Sequence, residues 1–224
     1  MGRRAIVKQD VEIVVWGSDD DTGFEDTETS DYAMPMLSVL QALSPQCKKS
    51  NAKYHEDAEP GHLFITGLDR PVENLEVVPC YYKKEFVEWI PIDMGGGFVA
   101  THALNSGVDK GAQRIDGKMF LENGHELVTT AYFYCVVIDT LERVVIPLAS
   151  TGLKVARSWM SKANAVRVDS NPVPLFAQVY KASSILESNP KGEWYTLKTE
   201  YSRVATPKEF EHAKQFRAQL KEEI

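Results

Sequence analysis

Residues 60–150 carry apolar side chains that alternate with polar ones and include many Val, Ile, Tyr and Phe. Such alternation, in short runs bounded by turn-forming residues, is typical of β-strands buried on one face. The pattern predicts six strands, at 62–66, 75–89, 98–102, 118–121, 126–139 and 143–149. The last two form a hairpin, and 174–187 with 193–204 form a second one around a turn at 188–192.

Other segments show the apolar spacing of amphipathic helices. These predicted helices are 31–43, 151–165 and 206–222. Pro35 lies in the first turn of the first helix, and Thr206, Pro207 and Glu209 occupy the N-cap, N1 and N3 positions of the last one. Helices combined with antiparallel hairpins predict an α+β fold, in which a mostly antiparallel, twisted β-sheet is packed against helices. We expect a single α+β domain over 32–224.

Charge is distributed unevenly along the chain, whose formal net charge is −7. Residues 1–31 hold nine acidic and three basic residues, and we expect them to form an acidic, partly flexible segment that solvates the protein, competes with DNA or recruits a polymerase subunit. Residues 151–205 hold eight basic and four acidic residues. The second half of the chain is therefore the part that suits an anionic partner.

The sequence carries no recognisable catalytic or metal-binding motif. The five histidines form no metal-ligand pair, the three cysteines lie far apart, and Gly95-Gly96-Gly97 lacks the rest of a nucleotide-binding signature. No apolar run reaches the roughly 20 residues of a membrane helix. We expect a soluble intracellular protein that is not an enzyme, needs no metal or cofactor and does not bind a membrane.

Aromatic residues interleaved with basic ones are the positive signal, at 81–89 and again at 194–203. Single-strand binders use rings on which bases stack and cations that follow the phosphates. The candidates for phosphate contacts are Lys83, Lys84, Lys154, Arg157, Lys162 and Arg167. The candidates for stacking are Tyr82, Trp89, Trp159 and Tyr195. The alternative is that the aromatics belong to the core and the lysines to solvated edges, and Trp159 suits the anchor of its helix equally well.

A set of short motifs resembles a recurrent pattern in small phage proteins. It comprises Gly23-Phe24-Glu25, Asp31-Tyr32-Ala33-Met34-Pro35-Met36-Leu37, Gln41, Ser44-Pro45-Gln46, the run 77–89, Gly95-Gly96-Gly97-Phe98, Ser150-Thr151-Gly152-Leu153 and Gly192-Glu193-Trp194-Tyr195. Over 23–215 the chain is similar to the Drc type of single-stranded DNA-binding RNA polymerase cofactor, from lytic phages that carry a virion RNA polymerase. The resemblance implies single-stranded DNA binding, support of a phage RNA polymerase in early and middle transcription, and a fold that is not a standard OB barrel. It fixes no DNA-binding residue.

Two other functions stay open at this point. One is a single-stranded DNA-binding protein of replication or recombination. The other, of a different class, is a structural or assembly protein of the virion that binds no DNA and forms large homo-oligomers. The expected partners are single-stranded DNA, a phage RNA polymerase and a possible second copy of the chain, in the cytoplasm of the infected bacterial host.

Overall fold

Two long antiparallel strands form the centre of the fold in the computed structural model, which describes residues 33–190 and 192–223. They are β4 (Leu75–Ile90) and β8 (Glu126–Val137), and they pair from Val77 opposite Val137 to Trp89 opposite Glu126. Both strands are rich in β-branched and aromatic residues, which suit a pleated and largely buried surface. The predicted acidic segment 1–31 lies outside the described residues.

Within the described part of the chain, shorter strands extend this pair on both sides into an antiparallel sheet of eight strands. The added strands are β5 (Gly97–Ala103), β6 (Gln113–Ile115), β7 (Lys118–Phe120), β9 (Arg143–Ala149), β12 (Gln178–Asn189) and β13 (Gly192–Val204). On one side of β4, the strand β12 pairs with its beginning and β5 with its end, and β13 pairs with β12. On the far side of β8, β9 and the β6–β7 hairpin share its length.

The sheet curls into a half-barrel. Register shifts interrupt the pairing after Pro79, Glu88 and Val179, and such bulges bend a strand and increase its local twist. The α+β fold with a mostly antiparallel, twisted sheet is therefore confirmed. The six predicted strands and both predicted hairpins are present with boundaries that differ by a few residues.

The predicted helix at 31–43 is wrong for the residues that the structure describes. Leu37–Val39 is a strand, β1, which pairs with β2 (Leu63–Ile65), and β2 pairs in turn with β3 (Arg70–Val72). Leu37 and Leu40 are buried, a spacing that fits a helix, but Met36 and Ser38 on either side of Leu37 are exposed, as strand alternation requires. Leu43, which a helix would bury, is 77 % exposed.

Two helices cover opposite faces of the large sheet. Helix α1 (Gly152–Ala165) buries Trp159 against Phe133, with ring centroids 4.1 Å apart, and against Tyr180. Helix α2 (Pro207–Glu223) packs on the face to which Val78 and its neighbours belong. Each face thereby gains its own hydrophobic core. The predicted helices 151–165 and 206–222 are confirmed as α1 and α2.

A buried amide fixes the end of α1 to β12. The side-chain amide of Gln178 donates hydrogen bonds to the carbonyl oxygens of Ala163 (3.0 Å) and Val173 (2.7 Å). Its carbonyl oxygen accepts one from the hydroxyl of Tyr180 at 2.6 Å. The amide is fully buried, and both its nitrogen and its oxygen are hydrogen-bonded. These bonds therefore hold the end of α1 in one position over the sheet. A short hairpin of β10 (Arg167–Val168) and β11 (Asn171–Pro172) follows α1.

Candidate nucleic-acid interface

A groove of about 240 Å³ runs between α1 and the β12–β13 hairpin. Lys154 and Lys162 line it from the helix, and Lys198 lines it from β13. Glu187 is the acidic residue of its lining. Two of the six lysines and arginines predicted from the sequence thus share one groove with a third lysine that the prediction did not include.

The periodicity of α1 explains why its lysines reach the groove. Ala156, Trp159 and Ala163 are buried at positions three and four residues apart, which is the core-facing side of a helix. Lys154, Ser158 and Lys162 follow one another at intervals of four, so they form a single strip beside that buried side. No acidic residue occurs anywhere in Gly152–Ala165. The strip therefore carries two lysines and no acidic residue.

The other wall of the groove comes from the two long strands. Residues 194, 196 and 198 of β13 share one face of the hairpin because side chains alternate along a strand. Lys198 is exposed and pairs with Glu200 at 3.0 Å, which is a weak interaction between two exposed groups. Across the groove, Nζ of Lys162 donates to the backbone oxygen of Thr199 at 3.4 Å.

The remaining predicted phosphate contacts lie elsewhere. Lys83 and Lys84 are consecutive on β4 and so point to opposite faces of the sheet. Lys83 is 2.7 Å from Glu85, which neutralises its charge locally, whereas Lys84 is exposed. Arg157 is exposed on α1 beside the lysine strip, with Nε bonded to the oxygen of Leu153. Arg167 caps the end of the helix region by donating to the oxygens of Asn164 (2.5 Å) and Val166 (2.9 Å).

None of the four predicted stacking aromatics lines this groove. Trp159 is fully buried, so it takes the alternative role of a helix anchor and is withdrawn from the proposed interface. Tyr82 packs beside Phe133 at 5.0 Å between ring centroids. Trp89 is exposed at the far end of β4.

Tyr195 is occupied by a contact that sequence spacing does not reveal. A Cβ atom on Gly61 would lie only 2.6 Å from its ring, so the ring lies directly on the Gly61 backbone. The backbone of Tyr195 also exchanges two hydrogen bonds with the side chain of Gln41. Its neighbour Trp194 does not line the groove either; it is half-buried, its indole nitrogen is buried without a hydrogen-bond partner, and strand alternation places it on the same face of β13 as Lys198.

A second polar cluster surrounds the buried carboxylate of Glu88. Its oxygens are hydrogen-bonded to Nδ1 of His125 (2.6 Å) and Nε2 of His102 (2.7 Å). The hydrogen bond to His125 has the largest effect, and together with the one to His102 it holds the pKa of Glu88 below its usual value despite burial. No group of three His, Cys, Asp or Glu side chains among the described residues is arranged to hold a metal ion. The hydrogen bonds of Glu88 connect β4 with β5 and with the turn before β8.

Comparison with known proteins identifies the family of the chain. Residues 6–223 match the family of Pam3 phage gp34-like proteins. The α+β fold with its basic groove is thus that of a bacteriophage protein. The chain belongs to the Pam3 phage gp34-like family, because the match covers nearly its whole length.

The phage origin that the sequence motifs implied is confirmed by this match. No curated protein and no solved structure matches the chain. Within residues 33–190 and 192–223, no helix is both long enough and apolar enough to cross a bilayer.

Proposed function

We propose that this phage protein binds single-stranded DNA along the groove between α1 and the β12–β13 hairpin. The observation that carries the proposal is the convergence of Lys154 and Lys162 on Lys198 from two separate elements. Two lysines along one wall and a lysine on the other provide charges for the phosphates of an extended strand. The same groove binds without regard to sequence, because lysine ammonium groups are point charges without the rigid donor fork that reads base edges.

The negative net charge of the chain is compatible with this proposal. At about 0.1 M salt, charges separated by more than roughly 10 Å in solvent are largely screened from each other. A phosphate in the groove therefore responds mainly to the local charges, which are the three lysines and Arg157 beside them against Glu187 and the Glu200 that pairs with Lys198. The acid-free sequence of α1 keeps that local field positive.

Stacking in this proposal falls to Trp194. Base stacking on an aromatic ring contributes about 1–3 kcal/mol per base and accepts every base. Trp194 lies two and four residues from Thr196 and Lys198, both of which line the groove, and on the same face of β13. A strand whose phosphates follow the lysines can therefore place a base on this ring. We expect Trp194→Ala to weaken binding without changing its salt dependence.

The cellular role we propose is that of an RNA polymerase cofactor in early and middle phage transcription. Membership of a phage family and the resemblance of 23–215 to the Drc type support this role. Its test is transcription by the phage polymerase from a promoter template with and without the protein. Stimulation that is lost in the lysine variant below supports the role, whereas unchanged transcription favours replication or recombination.

Fluorescence anisotropy of a labelled DNA of about 30 nucleotides, titrated at several salt concentrations beside the matching duplex, tests the binding itself. Replacing Lys154, Lys162 and Lys198 together by alanine removes three charges from the groove. Each lost phosphate contact reduces the slope of log K against log salt by about 0.7 for single strands, so we expect the slope to fall by about 2.

The matched control removes the same charge elsewhere, at Lys110, Lys208 and Lys221, all exposed and none in the groove. This variant should bind nearly as the wild type does. Equal losses in both variants would assign binding to overall charge and refute the groove. Absence of salt-dependent binding by the wild type, with large homo-oligomers in solution, would instead favour a virion assembly protein.

A further inference from the structure

Large apolar side chains are exposed together at the end of the sheet opposite the β12 pairing. The exposed fractions are 93 % for Ile92, 58 % for Phe98, 54 % for Met94 and 41 % for Trp89. Val99 and Leu104 each expose a further 40 %. We call these six residues the apolar end. Ile92 and Met94 lie at the tip of the β4–β5 hairpin, where Gly95, Gly96 and Gly97 have positive φ and form the tight connection. Trp89, Phe98 and Val99 lie next to the tip, and Leu104 follows the other end of β5.

The strand that borders the apolar end has a free edge among the described residues. β5 (Gly97–Ala103) is paired there with β4 alone. Edge strands are normally protected by charged residues, by proline or by a covering element. β5 contains no Lys, Arg, Asp, Glu or Pro over its seven residues, and most of them are exposed. Its unpaired backbone groups can therefore accept another strand.

The area of the apolar end matches one side of a small dimer interface. Taking about 200 Å² for a large side chain, the six exposed fractions correspond to roughly 600 Å² of apolar surface. A standard interface buries about 800 Å² on each partner, and homodimer interfaces are about 65 % apolar. The apolar end supplies the apolar area that one side of such an interface needs. Single apolar residues scattered over a monomer's surface would not supply it.

We propose that two copies of the chain pair through their β5 edges and cover each other's apolar ends. A two-fold axis through an edge strand pairs residue i of one copy with residue j of the other, so a charge near the axis would meet its like. β5 contains no Lys, Arg, Asp or Glu, and its histidine, His102, is paired with Glu88 of the same copy. The antiparallel joining of two β5 strands makes one continuous sheet from the two half-barrels.

This association leaves the basic groove of each copy accessible. The groove belongs to the hairpin that joins β4 at Leu75–Val77, whereas β5 joins β4 at Glu85–Ile90. The offset of eight residues from Val77 to Glu85 corresponds to about 25 Å along a strand. The dimer is consequently independent of DNA binding, and its test requires no DNA.

Sedimentation equilibrium of the full chain over a range of concentrations measures the assembly. We expect twice the chain mass for the wild type at about 100 µM and a reversible monomer–dimer equilibrium. Phe98→Glu with Val99→Glu places four carboxylates near the two-fold axis and should weaken the dimer at least 100-fold. Ile92→Glu, outside any strand, should weaken it without touching the sheet.

The matched controls are Leu43→Glu and Leu68→Glu, which change exposed leucines away from the apolar end. They should sediment as the wild type does, and the thermal melting of every variant verifies its fold. A wild-type protein that remains monomeric would overturn the proposal. So would a dimer that both the Phe98→Glu with Val99→Glu double variant and Ile92→Glu leave intact, or an open-ended series of larger species.

Discussion

Replacing Glu209 by glutamine removes the carboxylate that joins the end of β13 to the first turn of α2. Its two oxygens accept hydrogen bonds from the guanidinium of Arg203 at 2.7 and 2.9 Å. The backbone N–H of Thr206 donates to the same carboxylate at 2.7 Å, in the reciprocal arrangement of a capping box. One side chain therefore satisfies a helix terminus and fixes that helix to the sheet.

The contribution of the Glu209 carboxylate to the free energy of unfolding follows from its pKa. The hydrogen bond from Arg203, more than any other contact, lowers the pKa of Glu209 from 4.5 to about 2, and its side chain is only 13 % exposed. Since a tenfold change in proton affinity corresponds to about 1.4 kcal/mol, the ionised group contributes about 3 kcal/mol to the free energy of unfolding at neutral pH. Glutamine still accepts hydrogen bonds, so we expect Glu209→Gln to cost about 2 kcal/mol.

The sign of the pH dependence gives a sharper test. A carboxylate whose folded-state pKa is depressed stabilises the protein above its unfolded pKa, and this contribution is lost as the pH falls through the folded pKa. The wild type should therefore lose stability between about pH 5 and about pH 2 through this group. Glu209→Gln should be less stable at about pH 7, and its disadvantage should shrink as the pH approaches 2.

Urea unfolding followed by far-UV circular dichroism at several pH values measures both effects. The control is Glu211→Gln on the same helix. Glu211 is 54 % exposed, and its oxygen lies 4.0 Å from Nζ of Lys214, which is a long and weak ion pair. That variant should unfold within about 0.5 kcal/mol of the wild type. Equal stability of Glu209→Gln and wild type at neutral pH, or a constant difference down to pH 2, would refute the reasoning.

The other predictions concern the core, a turn and the buried carboxylate. Trp159→Ala should cost about 3–5 kcal/mol in urea unfolding, whereas Trp159→Phe should cost far less, because it keeps a ring stacked on Phe133 and removes an indole N–H that has no partner. Gly61→Ala should lower the melting temperature, because φ is +94° and the new Cβ would meet the Tyr195 ring; Gly67→Ala, with an open surrounding but the same sign of φ, separates strain from collision. Glu88→Gln should destabilise at neutral pH and reduce the loss of stability on acidification, since the folded pKa of Glu88 is lowered; melting temperatures that depend on pH as those of the wild type do would contradict this.

The sheet and the helices α1 and α2 could be predicted from short-range patterns of apolar and polar residues. The hairpin of β8 and β9 depends on two adjacent runs and a short turn, and α1 depends on the spacing within Gly152–Ala165. β1 was missed because three residues are too few for alternation to outweigh helical spacing. Its conformation is decided by its distant partner Leu63–Ile65, with which it exchanges backbone hydrogen bonds.

The groove could be predicted from the sequence only on its helical wall. Lys154 and Lys162 follow from the amphipathic pattern of α1, which places both on one strip. Lys198 lies beside them because β13 runs next to α1 in the folded chain. This proximity depends on tertiary structure, so the spacing of residues in the sequence does not reveal it. Burial likewise separates Trp159 from Trp194, although both are aromatic residues near lysines. The link of Glu88 to its two histidines spans 14 and 37 residues and gives no local signal.

The contact between Gln41 and Tyr195 bears on the order in which the chain folds as it leaves the ribosome. The two residues are 154 positions apart, and the hydroxyl of Ser184 also donates to the oxygen of Gly61. The small sheet formed by the earliest described strands also contacts β9, where the N–H of Val145 donates to the oxygen of Pro35, but its contacts with the last hairpin form only after that hairpin has been translated. During synthesis part of its docking surface is therefore missing, so folding is expected to be slow and dependent on completion of the chain. A stop codon before residue 195 would weaken the attachment of the beginning of this domain as well as remove its end.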